Sequence, residues 1–244
     1  MAATWLALAM IAPAAVAAPP SPPLFGPVMT APFAQTITVA GFRFSNWVNF
    51  LYDSTTAPVG SSLSQHSQGQ HDEVCTAVKG KELSDEPCSL LDSADSWLYV
   101  VYPQSKLCCR ACNTSSFCGI ISPTWLQENA TYQGQKVING TLSSGWMKEG
   151  GEQNFFWVSS ASNDKKDARV PVQYYEGYPT FAEGSNFWNF STELYSNAPI
   201  PSSTFDVPSG MGCDAMCEFG AESYATRLQR RFEAGVGGGN LERV

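Results

Sequence analysis

Apolar residues recur at every second position along much of this chain, and that period predicts strands. In 42–53, Phe42, Phe44, Val48, Phe50 and Tyr52 share one face, interrupted only by Asn46. The opposite face carries Arg43, Ser45, Trp47, Asn49, Leu51 and Asp53, so the segment reads as a half-buried strand. Residues 97–102 (WLYVVY) are apolar on both faces and predict a strand covered from two sides. Residues 131–138 and 141–147 read as a hairpin, because Asn139 and Gly140 accept positive φ at the two central turn positions. Further strands are expected at 153–159, 169–176 and 186–191. Pro171 marks an edge or a bulge in the second of these. Residues 123–130 read as one turn of helix.

The segments between are polar or Pro-rich. Residues 18–34 contain PPSPP and read as an exposed lead-in. Residues 54–72 and 79–95 lack apolar periodicity and read as loops. In the tail, 218–244, Tyr224, Leu228 and Phe232 recur every fourth residue among Arg227, Arg230 and Arg231. That is a short amphipathic helix, ended by the Gly235-Val236-Gly237-Gly238-Gly239 breaker. Short strands separated by turns, with little helix, predict an all-β antiparallel domain over 35–217.

Composition then fixes the setting. Residues 1–17 form an apolar run ending in Ala15-Val16-Ala17, the pattern of a secretory signal peptide cleaved after Ala17. No later stretch is long and apolar enough to predict a transmembrane segment. The expected location is secreted, extracellular or in the endomembrane lumen. A net charge of −8, with 15% charged residues, argues against nucleic acid as a partner.

In an oxidising compartment the eight cysteines, Cys75, Cys88, Cys108, Cys109, Cys112, Cys118, Cys213 and Cys217, read as disulfides. The spacings Cys109–Cys112 and Cys213–Cys217 would suit zinc in the cytosol; here no metal site is assigned. We expect Cys75 to pair with Cys88, and Cys213 and Cys217 to tie the C-terminal segment to the 108–118 cluster. Eight cysteines admit about 105 pairings, and spacing excludes few of them.

Catalytic readings find little. His66 and His71 lie in a polar loop and read as solvated. Cys75 is four residues from His71, but an oxidised cysteine cannot attack. There is no G-x-S-x-G turn and no distinctive pair of carboxylates. No catalytic residue and no cofactor is assigned. Sequons at Asn113, Asn129 and Asn189 mark glycosylation sites. A fourth, Asn139, sits in the hairpin turn, where a glycan would crowd both strands. Among the aromatic residues, Trp146, Trp157 and Tyr174 read either as ordinary core packing or, if the registers place them on one face, as the lining of an apolar cavity.

Residues 119–146 read GIISPTWLQENATYQGQKVINGTLSSGW. The elements Gly119-Ile120, Pro123, Trp125-Leu126, Ala130, Tyr132, Gly134, Asn139-Gly140 and Trp146 resemble a family of uncharacterised secreted eukaryotic proteins of plants and protists. Phe50-Leu51-Tyr52-Asp53, Pro171-Val172 with Tyr174, and Phe205-Asp206-Val207-Pro208 with Cys213 and Cys217 resemble its other strands and its closing segment. One departure is visible: members tend to carry a Cys just before the hairpin Trp, where this chain has Ser143, Ser144 and Gly145. That family is similar to the ependymin group and the bacterial lipoprotein carriers. The resemblance implies a strongly curved antiparallel sheet, a half-barrel around an apolar cavity, and no catalytic residues. The resulting expectation is non-enzymatic binding of a lipid or other apolar or amphipathic small molecule. Two rival readings are a structural or adhesion protein of the cell surface or matrix, and a carbohydrate-active enzyme.

Overall fold

The period-two segments form strands because each has one face to bury, and strands adjacent in the chain mostly pair with each other. The computed structural model describes residues 19–24, 26, 28–39, 42–55, 63–67, 75, 77–81, 86–93, 95–113, 121–150, 153–160, 169–178, 184–219 and 241–243. The strands are β1 (Val28–Thr30), β2 (Phe33–Val39), β3 (Phe42–Asp53), β4 (Leu63–Ser67), β5 (Cys88–Asp92), β6 (Trp97–Tyr102) and β7 (Leu107–Asn113). They continue as β8 (Thr131–Ile138), β9 (Thr141–Glu149), β10 (Gln153–Ser159), β11 (Pro171–Tyr178), β12 (Gly184–Phe190) and β13 (Leu241–Arg243). All belong to one open antiparallel sheet in the order β7-β6-β5-β4-β3-β2-β12-β11-β10-β9-β8, with β1 and β13 both paired to β3. The fold is the expected all-β curved half-barrel: two meanders, β2–β7 and β8–β12, joined where β12 pairs with β2.

Several local expectations hold. Asn139 (φ 49°) and Gly140 (φ 80°) form the β8–β9 turn. Pro171 sits at a bulge, where Trp157 pairs with Gln173 but Val158 pairs with Pro171. The helical turn expected over 123–130 is a single 3-10 turn at Trp125–Gln127.

Other expectations need correction. The lead-in at 18–34 already contains β1 and the start of β2, so the sheet begins at Val28 and not at residue 35. The 54–72 loop contains β4, whose LSQHS sequence carries no apolar period. Its strand form comes from ladder bonding to β3 on one side and β5 on the other. The 79–95 loop contains β5, a strand too short to show a period. The tail is not wholly outside the sheet, because β13 pairs with Phe42–Phe44. The helix expected around Tyr224–Phe232 lies outside the described residues.

The cysteines close the β7 edge. Cys75 pairs with Cys88, Cys108 with Cys213, and Cys109 with Cys217. Cys112 is also disulfide-bonded. Cys118 lies outside the described residues. Adjacent strand residues point to opposite faces. Cys108 therefore packs with Leu91, Tyr99 and Phe205 on one side, and Cys109 with Leu90, Val100 and Tyr102 on the other. Between the two bridges, Arg110 N–H donates to Ala215 O and Cys217 N–H donates to Arg110 O, both at 2.8 Å. The segment thus covers an edge that would otherwise offer its backbone for pairing. Disulfides persist in oxidising compartments, which puts the folded chain outside the reducing cytosol. Among the described residues, no helix is long and apolar enough to cross a membrane.

Candidate functional site

Directly paired residues on antiparallel strands share a face, so the register identifies which side chains meet. One row runs across the inner face over seven strands, β8 to β3: Tyr132, Trp146, Phe156, Tyr174, Trp188, Gln35 and Asn46. It is aromatic for its first five members and ends in two carboxamides. Ring centroids lie 5.5 Å apart for Tyr132–Trp146, 6.5 Å for Phe156–Tyr174 and 4.7 Å for Tyr174–Trp188.

The flanking rows differ in polarity. On one side Phe190, Phe33 and Val48 pair in sequence, with Phe33 stacked on Trp188 at 4.5 Å. On the other side Lys148, Asn154, Glu176 and Asn186 pair in sequence. The face is therefore graded from apolar through aromatic to polar. Tyr174 Oη donates to Asn154 Oδ1, tying the aromatic row to the polar one.

The polar end is a buried relay. Trp188 Nε1 donates to Asn186 Oδ1 at 3.0 Å, and Gln35 Nε2 donates to the same oxygen at 3.2 Å. Asn46 Nδ2 donates to Gln35 Oε1 at 3.5 Å. Gln35, Asn46 and Asn186 are only 3%, 7% and 6% exposed. Two buried polar atoms on this face have no hydrogen-bond partner, Asn46 Oδ1 and Trp146 Nε1. A buried polar atom left unpaired costs about 1–3 kcal/mol.

Residues 121–130 cross the same face. Tyr52 Oη donates to Ile121 O at 3.1 Å, and Lys148 Nζ donates to Trp125 O at 2.6 Å, so the segment is held at its start and its middle. Leu126 is fully buried against the row, while Trp125, Tyr132, Trp188 and Tyr195 are partly buried. Burial raises the hydroxyl pKa of Tyr52 and Tyr195, which keeps both neutral.

Trp146 and Tyr174 lie in the inner row, and Trp157 does not. It pairs with Gly145 and Gln173 on the opposite face and packs there with Ile138 and Val172. Both faces of β10 are apolar, so period alone could not choose its side. Lys136 Nζ lies 4.0 Å from the Trp157 ring centroid and caps it. The sequence reading missed Gln35, Asn186 and Trp188 altogether.

Of the other assigned residues, Asn129 is exposed in a turn (φ 66°), and Asn113 ends β7. Asn189 lies on the outer face of β12, where its Oδ1 accepts from Gln173 Nε2 at 2.9 Å. His66 is on β4, and His71 lies outside the described residues. Among the described residues, no group of three or more His, Cys, Asp or Glu is placed to hold a metal.

No protein-family model matches the sequence, and no curated protein matches it either. Several solved structures match it loosely. An uncharacterized conserved protein from Thermus thermophilus is 4% identical with a TM-score of 0.43, over 78% of this chain and 91% of that one. The lipoprotein LppX of Mycobacterium tuberculosis is 12% identical with a TM-score of 0.37, over 70% and 88%. A LolA superfamily protein from Nitrosomonas europaea is 7% identical with a TM-score of 0.38, over 76% and 92%. The likeness is loose, and both fold and site stand on this chain's own register and side-chain geometry.

Proposed function

We propose that this protein binds an apolar or amphipathic small molecule along the inner aromatic row, as a non-enzymatic carrier. The observation that carries this reading is the grading of one face, from Phe190, Phe33 and Val48, through five aromatic residues, to buried carboxamides. A uniformly apolar core has no use for that gradient. A ligand with a tail and a head does, and ligand sites pair apolar walls with a few placed polar groups.

The setting proposed with it is secretion through an oxidising pathway, with the signal peptide removed after Ala17. N-glycans on Asn113, Asn129 and Asn189 belong to the same setting. Asn129 is exposed, and Asn189 faces away from the inner row, so glycans at these two would leave the site open. The resemblance of residues 119–146 to a secreted eukaryotic family supports this setting. Peptide mapping of secreted protein tests it: a mature start at Ala18 and occupied sequons are expected.

Titration of the folded full-length chain with N-phenylnaphthylamine, a neutral apolar fluorophore, tests the binding itself. We expect saturable binding that Tyr174→Ala weakens about tenfold, the loss of a good aromatic contact. Phe187→Ala, on the outer face, should leave it unchanged. Leu126, fully buried against the row, favours one rival, a structural or adhesion role with the face filled by its own segment. Absence of probe binding by folded protein would overturn the carrier reading in favour of that rival.

A further inference from the structure

The polarity of the buried relay can be read from one fixed end. An indole N–H is a donor only, so Trp188 Nε1 fixes the group facing it, 3.0 Å away, as the oxygen of Asn186. Gln35 also faces that oxygen and must present its amide nitrogen to it, at 3.2 Å. The Gln35 oxygen is then turned toward Asn46, which must present its own nitrogen, at 3.5 Å. This leaves Asn46 Oδ1 as the terminus, in a residue 7% exposed and with no partner for that atom. The end of the relay is therefore a hydrogen-bond acceptor that lacks a donor. Flipping any one amide would set two oxygens or two N–H groups against each other.

The charges along the polar row agree with this polarity. Glu176 pairs with Asn186 and adds a negative group near the relay. The cation of the row, Lys148, is at its far end, where it donates to Trp125 O and lies 3.9 Å from Glu128. An ionised carboxylate or phosphate carries acceptors where the relay already ends in one.

Resting on the carrier reading above, we propose that the ligand presents a hydrogen-bond donor, a hydroxyl or an ammonium group, to Asn46 Oδ1. The site then selects long-chain alcohols or amines over acids of the same chain length.

The test is displacement of N-phenylnaphthylamine from the folded full-length chain by hexadecanol, hexadecylamine and hexadecanoate. The alcohol or the amine is expected to displace the probe at about tenfold lower concentration than the acid, the worth of one buried hydrogen bond. An amine ahead of the alcohol assigns a share to Glu176; equality assigns the preference to Asn46 alone. Asn46→Leu should erase the preference. The wild-type comparison stands by itself if that variant does not fold. Equal displacement by all three, as a water on Asn46 Oδ1 would give, or a lead for the acid, overturns the proposal while leaving the carrier reading intact. Failure of the probe to bind removes the carrier reading and this proposal with it.

Discussion

Trp157 lies flat on Gly145 across the β9–β10 pair, so closely that a methyl group at position 145 would sit 2.5 Å from the indole carbons. Glycine is required here for space. The indole is thereby sunk into the outer face until only 7% of the residue is exposed.

Gly145→Ala should therefore destabilise the protein by about 1–3 kcal/mol through overpacking. Urea denaturation monitored by far-UV circular dichroism measures this. In a Trp157→Ala background the same substitution should cost much less, because the clashing partner is gone. Equal costs in both backgrounds would contradict the contact.

The β8–β9 turn gives a second expectation. Gly140 has φ 80°, a conformation strained for a β-branched residue. Gly140→Val should cost about 1–3 kcal/mol in the same assay. A neutral outcome would mean that the turn can adopt another form without loss.

At the β7 edge, Cys108–Cys213 and Cys109–Cys217 span 105 and 108 residues and fasten the closing segment on both faces. Removing either bridge by a paired Cys→Ala change should cost about 2–5 kcal/mol. Among all eight cysteines, none should be alkylated without reduction. Mass spectrometry after alkylation with and without reductant decides this second point.

Asp92 gives the protein a pH dependence. Its carboxyl is buried, Oδ1 has no partner, and desolvation raises its pKa from 3.8 to about 7. A raised pKa means the fold prefers the neutral acid. The associated stability is fully present below the unfolded value and is lost as pH rises through about 7, amounting to about 4 kcal/mol at most. Asp92→Asn should leave stability near pH 4 little changed and raise it near pH 8, relative to wild type. Denaturation curves at the two pH values check the sign, and a variant less stable at the higher pH would contradict it.

Much of the sheet was legible because β3 carries a strong period, β8 and β9 flank a turn signal, and β6 and β10 are short apolar runs. Strands β4 and β5 were not, since LSQHS and CSLLD become strands through their neighbours. Of the seven residues in the inner row, Trp146 and Tyr174 were singled out in the sequence, and Asn46 stood out as the polar break in the inner face of β3. Its meaning was hidden because its partner Gln35, 11 residues away on β2, is bonded in turn to Asn186, 151 residues from Gln35, and only register brings the three together. Trp157 was placed on the wrong face for the same reason: β10 is apolar on both sides, and the bulge opposite it shifts the alternation in β11.

The central claim is that the inner aromatic row holds a ligand. Native mass spectrometry of the folded, full-length chain incubated with hexadecanol tests this directly. The account predicts a bound alcohol on the wild-type protein, sharply reduced in Tyr174→Ala. Folded wild-type protein that carries no alcohol at any soluble concentration would contradict it.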